Sequence, residues 1–469
     1  MSKLIVLSNR VSLPNPEKQA AGGLAVALQD ALQESGGIWL GWNGEKISHD
    51  QSPEFNELVQ GQVQYLTCPL TEQQYQGYYC GFANHTLWPA MHERRDLIEY
   101  QHEEFEIYQQ VNRLFAEKLQ QIAAVDDMIW VHDYHFLSVA HYCRELGMPN
   151  KIGFFLHIPF APLSIWSAIP SAQKLIEDLC CYDVIGLQTE QDESRCQQVL
   201  SSYLKTATIQ QLLFSEQIHV KTIKCYPIGV DPEKLQHVAE QQVEQPQDIF
   251  DPALLQQQKT IIGVDRIDYS KGLLERFQAF AGFLEQYPEY RKRVTELQVA
   301  CPCRMEIPVY HQLYDQLTET VSQINSELGQ DYWHPIECTH QTIQHEKLMG
   351  LYRLSDICWI NSLRDGMNLV AKEYIAAQNP EDPGVLILSK YTGAAEQMSQ
   401  ALIVDPQDPN NMIQTLKKAL ELSKKERIRR YEQLMQGLKA FDIHDWRNSF
   451  LRDLNQAAAL PHLFIPHAS

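Results

Sequence analysis

No stretch of this chain is apolar for anything near the roughly 18 consecutive residues that a membrane-spanning helix needs. That excludes a helical membrane protein. No G-x-G occurs anywhere, so the dinucleotide-binding fingerprint is missing, and there is no Walker A phosphate loop. No Asp-x-Asp occurs, which removes a common metal–diphosphate motif. The N-terminus, Met1-Ser2-Lys3, passes straight into Leu4-Ile5-Val6-Leu7, with no basic region ahead of a longer apolar one, so no signal peptide is expected. The 11 cysteines include no C-x-x-C; the closest pairs, Cys180/Cys181 and Cys301/Cys303, lie in apolar settings. They read as reduced structural thiols of a cytoplasmic protein. Positive charge is also short: 39 Lys and Arg against 59 Asp and Glu leave a formal net charge of -20. Such a balance argues against nucleic acid as the main partner. Any anion site must be built locally, from a few cations and helix ends.

What is present is a globular α/β pattern. Hydrophobic content of 44% and charged content of 21% are ordinary, and 469 residues exceed one typical core, which implies two large domains. Short apolar runs alternate with helical stretches. Leu4–Ser8, Met128–Val131, Ile152–Leu156, Val184–Leu187 and Thr222–Tyr226 read as strands of the first half, with a helix at Leu24–Gln33 behind Gly22-Gly23. After Gly229-Val230-Asp231-Pro232 the chain turns polar and Gln-rich over 233–258, which marks the domain transition. The strand pattern then resumes at Thr260–Val264, Leu297–Ala300, Ile357–Ile360 and Val385–Leu388. Strands alternating with helices imply parallel sheets of βαβ units. The expected domains are 1–235, 236–440, and a C-terminal helix and tail over 441–469 that packs back on the first domain.

The most informative segment runs from Asn361 to Tyr374. Asp365-Gly366-Met367 precedes a helix pattern opened by Asn368 and Leu369, and Asn is a favoured N-cap. The first N–H groups of such a helix, with the positive end of its dipole, form an anion site suited to phosphate or diphosphate. Asp365 before the helix and Glu373 inside it add two carboxylates, as a ligand with both phosphate and hydroxyls requires. The alternative is an ordinary capped helix. A second segment, Asp265 to Gly272, reads as the loop after the Thr260–Val264 strand and before a helix from about Leu273. Ligands of open α/β sheets bind off the carboxyl ends of strands. Arg266 and Lys271 there fit a diphosphate, one as a fork and one as a point charge.

Candidates in the first half also follow strands: Ser8-Asn9-Arg10, His132-Asp133-Tyr134-His135 and His157. Gly22-Gly23 lets backbone approach a ligand closely. His157 alone reads equally well as a core histidine, Asp133 as a turn carboxylate, and Tyr78, Tyr79 and Trp88 as core aromatics. His132 and His135 without further ligands do not make a metal site.

Taken together, Ser8-Asn9-Arg10, Gly22-Gly23-Leu24, Tyr78-Tyr79, Leu87-Trp88-Pro89, His132–His135, Phe154–Phe160, Asp265–Gly272 and Asp365–Leu369 resemble the trehalose-6-phosphate synthase family, in the right order and over nearly the whole chain. The chain is similar to the bacterial, synthase-only members, because it ends without a phosphatase domain and lacks that domain's aspartate signature. The resemblance implies two Rossmann-like domains facing across a cleft, the GT-B glycosyltransferase fold. It implies transfer of glucose from UDP-glucose to glucose 6-phosphate with the donor configuration retained, in an α,α-1,1 linkage. Arg266 and Lys271 would hold the donor diphosphate, with backbone at Gly23, Gly366, Met367, Asn368 and Leu369. Glu373 would take the ribose hydroxyls, and Asp365 and His157 the donor glucose. Asp133 would lie near the acceptor hydroxyls, and Arg10, Tyr79, Trp88 and Arg304 around the acceptor phosphate. His157, Asp133, Asp365, Arg266 and Lys271 are thus the implied catalytic set. No metal and no cofactor are expected, nor any nucleic-acid or membrane partner; a cytoplasmic homo-oligomer, dimer or tetramer, is implied. Closure of the domains, with 11–21 as a lid, would exclude water.

Two segments depart from the family pattern. Cys301-Pro302-Cys303 is unusual before Arg304, and Ala161-Pro162-Leu163 follows Phe160 where small or polar residues are commoner. Both bear on the acceptor more than on the chemistry. Three other readings stay open: a different phosphorylated acceptor, a catalytically silent regulatory member, and a nucleotide-sugar isomerase of the same fold.

Overall fold

The computed structural model describes residues 2–13, 28–29, 32–33, 36–203, 222–242, 249–251 and 258–457. The chain divides into two compact units, Met1–Pro227 with Trp446–Ser469, and Ile228–Asp445. Each is a sheet covered by helices, and both sheets are parallel apart from one edge strand.

The sheet of the first unit has, among the described residues, the order β3-β4-β2-β1-β5-β6-β7-β8. Its strands are β1 (Leu4–Arg10), β2 (Gly37–Ile47), β3 (Asn56–Gln60), β4 (Val63–Thr71), β5 (Met128–His132), β6 (Lys151–Phe155), β7 (Val184–Leu187) and β8 (Thr222–Cys225). Every pairing is parallel except β3 on β4. Central strands are covered on both faces, which is why they are continuous apolar runs: Ile5, Val6, Leu7, Ile129, Trp130 and Val131 are all fully buried. β3, with Leu58 and Val59 exposed, carries no such signal and was not foreseen.

The final helix, Ile443–Gln456, covers one face of this sheet. Trp446 and Phe450 lie against Trp130 with ring centroids 4.9 Å away in both cases, and Trp446 meets Phe155 edge-on at 5.1 Å. The close fit depends on Gly153 of β6 and Gly186 of β7. A Cβ on Gly153 would come within 2.7 Å of the Phe450 ring, and one on Gly186 within 2.8 Å.

The second unit has the order β11-β10-β9-β12-β13-β14. These are β9 (Lys259–Arg266), β10 (Val294–Cys301), β11 (Ile336–Thr339), β12 (Ile357–Ile360), β13 (Val385–Ser389) and β14 (Leu402–Val404), all parallel. One continuous core joins Ile261, Phe277, Phe280, Phe283, Trp359 and Ile387. The polar stretch at the domain transition begins as a helix, Pro232–Gln241, capped by Asp231, whose side chain accepts from the Lys234 N–H. The expected strand Thr260–Val264 runs further, through Asp265 and Arg266. Strand alternation then sends neighbouring side chains to opposite faces. Asp265 turns inward and Arg266 outward, so the two residues first read as one loop have different tasks. No helix among the described residues is long and apolar enough to cross a membrane.

Candidate functional site

In the second unit, the loops after β9 and β12 meet. The β9 loop makes a short 3₁₀ turn, Tyr269–Lys271, started by Asp268, whose carboxylate accepts from the Ser270 N–H at 3.0 Å. Gly272 then opens the helix Leu273–Gln286. On the other side, Asn368 caps the helix Leu369–Ala377, its Oδ1 accepting from the Ala371 N–H at 3.2 Å. The first turn of such a helix keeps N–H groups without an intrahelical acceptor. Lys271 Nζ joins the loops by an ion pair to Asp365 Oδ2 at 2.6 Å, with both side chains about as shielded, 14% and 15% exposed. The same carboxylate oxygen takes Ser362 Oγ at 3.2 Å and Asn368 Nδ2 at 3.0 Å. Backbone bonds fix the Asp365–Met367 turn: Asp365 N–H to Tyr391 O, Gly393 N–H to Asp365 O, and Ala394 N–H to Met367 O.

Arg266 stands at the end of β9, its side chain 44% exposed, with Nη2 4.0 Å from Asp268 Oδ2. Arg304 reaches the same carboxylate oxygen at 3.2 Å and also donates to Tyr310 Oη at 2.6 Å. Its side chain is only 5% exposed. Thus Asp268, fully buried, is shared by two guanidinium groups of which only Arg266 presents an open face. Beneath them lies a network that sequence reading missed. Arg276 is completely buried and donates to Asp265, Glu296, Gln298 and the Trp359 carbonyl. Burial raises the Glu296 carboxyl to about 7 against the pull of Arg276. A buried charge is tolerated only when fully hydrogen-bonded, and this one ties β9, β10 and β12 together below the loops.

Glu373, in the second turn of the capped helix, accepts from or pairs with His345 Nε2 at 3.0 Å. Burial works against a charge on His345, but the Glu373 bond and charge outweigh it and raise its pKa. No pattern in the sequence ties position 345 to 373. Its neighbour Lys372 points elsewhere: Nζ is buried and donates to Ile228 O at 2.6 Å and Gln397 Oε1 at 2.7 Å, an anchoring task.

In the first unit, the candidates gather around the turn after β5. Arg10, at the end of β1, lays its guanidinium 4.9 Å over the Trp42 ring. Gly44, at φ +88°, makes room, since a Cβ there would fall 1.7 Å from the guanidinium carbon. Trp42 lies against Tyr79 at 5.5 Å, and Tyr79 stacks on His135 at 6.0 Å. Tyr79 rides on a π-helical stretch, Tyr75–Leu87, and the buried Trp88 follows it with its ring 5.5 Å from Tyr134. Asp133 sits at φ +75°, a conformation an L residue holds only when its surroundings enforce it. Here its N–H donates to Phe155 O and its Oδ1 accepts from the His157 N–H at 3.2 Å. His157 itself contacts His132, Nε2 to Nδ1, at 3.0 Å.

The structure therefore assembles Arg266, Lys271, Arg304, Asp365–Leu369 and Glu373 in one unit, and Arg10, Tyr79, Trp88, Asp133 and His157 in the other. Gly23, and residues 14–21 of the expected lid, lie outside the described residues.

The glycosyltransferase family 20 model matches residues 5–456. A trehalose-6-phosphate synthase of Sodalis glossinidius is 40% identical over 460 residues, covering 97% of this chain and 96% of that protein. The Burkholderia xenovorans alpha,alpha-trehalose-phosphate synthase (UDP-forming), solved in complex with glucose-6-phosphate, superposes with TM-score 0.89 at 39% identity, covering 97% and 100% of the two chains. An E. coli structure described as trehalose-6-phosphate, bound with UDP-2-fluoro glucose, gives TM-score 0.88 at 38% identity with the same coverage of 97% and 100%.

Proposed function

The chain belongs to glycosyltransferase family 20, and from that premise we propose that it moves glucose from UDP-glucose to glucose 6-phosphate, giving α,α-trehalose 6-phosphate and UDP with configuration retained. The Lys271–Asp365 pair at the head of the Leu369–Ala377 helix carries this reading. It places a cation, a carboxylate and a helix N-terminus on one small surface, as a glycosyl diphosphate requires.

Departure of UDP builds negative charge on the diphosphate and positive charge at the sugar carbon. Lys271, the open face of Arg266 and the first-turn N–H groups act on the leaving group. Preorganised donors of this kind are worth most where charge develops. Asp365, whose Oδ2 is held by Lys271, Ser362 and Asn368, takes sugar hydroxyls. Glu373, steadied by His345, takes the ribose. Arg10 and Tyr79 take the acceptor phosphate, Trp88 closes its apolar side, and Asp133 takes its hydroxyls. Arg304 serves the acceptor phosphate from the Asp268 carboxylate on which it rests. Gly23 contributes backbone to the donor.

With these cations in place we expect no metal to be needed, so chelation should leave turnover unchanged. None of the 11 cysteines is in a disulfide, as suits a reducing cytoplasm. The homo-oligomer rests on the family resemblance and is checked by light scattering. The deciding experiment measures UDP release from UDP-glucose with and without glucose 6-phosphate, with the sugar product identified by NMR. Acceptor-dependent UDP and an α,α-1,1 disaccharide phosphate are expected. Turnover only with another phosphorylated acceptor would change the substrate assignment, and none with any donor would leave a silent member of the family.

A further inference from the structure

His132 has no part in the reaction as proposed, yet it is fully buried at the end of β5, with its ring nitrogens in unlike surroundings. Nδ1 lies 3.0 Å from His157 Nε2. Nε2 is buried with no hydrogen-bond partner. Around the ring stand Trp130 at 4.5 Å between centroids, Phe155 at 6.3 Å and Trp446 at 6.4 Å. An imidazole nitrogen facing aromatic rings is better as N–H, which is drawn to a π face, than as a lone pair stranded in an apolar wall. If Nε2 carries the proton of neutral His132, Nδ1 is an acceptor. His157 Nε2 must then be the donor.

The far side of His157 sets the same direction independently. Its Nδ1 lies 3.4 Å from Gln188 Nε2, and with the amide nitrogen on that side Nδ1 is the acceptor. The two ends agree on one arrangement: Gln188 N–H to His157 Nδ1, and His157 Nε2–H to His132 Nδ1. The backbone N–H of His157 is fixed as well, on Asp133. A second proton on His157 would turn its Nδ1 against the Gln188 amide. Burial pushes the same way, holding the His157 pKa down to about 3.

We infer that His132 is a positioning residue for the transfer, its Nδ1 holding His157 in the neutral Nε2-protonated tautomer and in one ring orientation. This rests on the assignment of His157 to the donor glucose. Both ring nitrogens of His157 are occupied, so the acceptor hydroxyl proton has no route to this imidazole. His157 then serves as a fixed wall against the sugar, neither acid nor base.

The test uses the full chain labelled with ¹⁵N-histidine, the His157 signals being identified by their loss in His157→Ala. Expected at neutral pH is a nitrogen pair typical of a neutral ring protonated at Nε2. A ring protonated at Nδ1, or an imidazolium, overturns the inference. In the activity assay His132→Phe, which keeps the ring but removes the acceptor, should lower kcat about 10-fold, the scale on which small misplacements act, with the KM for glucose 6-phosphate held. His132→Asn, whose Oδ1 stands near the lost Nδ1, should recover most of that loss. Equal losses in both variants would leave His132 a packing residue only. Unaltered turnover in His157→Ala would instead remove the donor-sugar assignment, while the nitrogen shifts of the parent protein judge His132 alone.

Discussion

Lys271 Nζ and Asp365 Oδ2, 94 residues apart in sequence, stand 2.6 Å from each other and span the two loops that open above β9 and β12. Paired, they hold a cation and a carboxylate ready for a diphosphate and a sugar. Removing Lys271 should cost more than its Coulomb contribution, because Asp365 then turns its charge toward the incoming diphosphate. We expect Lys271→Ala to lower kcat about 100-fold or more, the cost of losing one preorganised donor. Lys271→Ala combined with Asp365→Ala should be far less than additive, as for groups that act as a unit. Steady-state kinetics of the two single variants and the double variant check this.

Arg304 offers a different balance between structure and binding. Its guanidinium rests on Asp268, fully buried, and on the Tyr310 hydroxyl. Arg304→Ala should raise the KM for glucose 6-phosphate more than that for UDP-glucose. It should also lower stability by about 1–3 kcal/mol, since it deprives a buried carboxylate of a partner. Paired calorimetry and kinetics separate the two effects. Equal rises in both KM values would undo the acceptor role.

Acid should destabilise the first unit through its histidines. Burial lowers the pKa of His132 well below 6.5, takes His157 to about 3, and lowers that of His141. A histidine lowered in the fold binds its proton more readily when unfolded. Its contribution is intact above about pH 6.5 and is lost progressively as pH falls from there. His345 works oppositely: its raised pKa stabilises the second unit at low pH and ceases to do so as pH rises through the folded value. His85 in the first unit is lowered as well, while burial raises the carboxyls of Glu104 and Glu296 to about 7, and these act in the same direction as His345. Four lowered histidines against three raised groups set the net sign. Melting temperature should therefore fall from pH 7 to about pH 5, with a shallower slope in His157→Gln. A flat profile would contradict the burial of these rings.

The parts of this fold that were legible are those written in consecutive residues. β1, β5, β6, β7, β9, β10, β12 and β13 are buried runs with polar residues at their ends; the strand expected at Thr222–Tyr226 forms over Thr222–Cys225 although it is only partly buried, and the one at Val184–Leu187 has the observed bounds. β11, the short Ile336–Thr339 strand, is the exception, since three of its four residues are only partly buried. The helix start at Asn368 was legible because capping is local chemistry. What could not be read is pairing at a distance. Asp268 shared by Arg266 and Arg304, Arg276 with Asp265 and Glu296, His345 with Glu373, and His132 with His157 join elements that only the sheet order brings together. The π-helical stretch at Tyr75–Leu87 also leaves no trace in a pattern of period 3.6.

Phe450 supplies a test of how the last helix is held. Its ring stacks on Trp130 at 4.9 Å, meets Tyr226 at 5.3 Å, and fills a notch that exists because residues 153 and 186 are glycine. Phe450→Ala leaves a void in a wall of aromatic rings too stiff to collapse, and should cost about 3–5 kcal/mol. Gly153→Ala attacks the same contact from the strand side. Its Cβ would need the space of the ring 2.7 Å away, and overpacking of this kind costs about 1–3 kcal/mol. Once Phe450 is gone that clash has no partner. Adding Gly153→Ala to Phe450→Ala should therefore cost less than it does in the parent, and could regain stability by filling part of the void. Chemical denaturation of the four proteins gives the coupling directly. Strictly additive losses would show that the helix is held by Trp446 and the Lys224–Asp453 pair, with Phe450 a passenger.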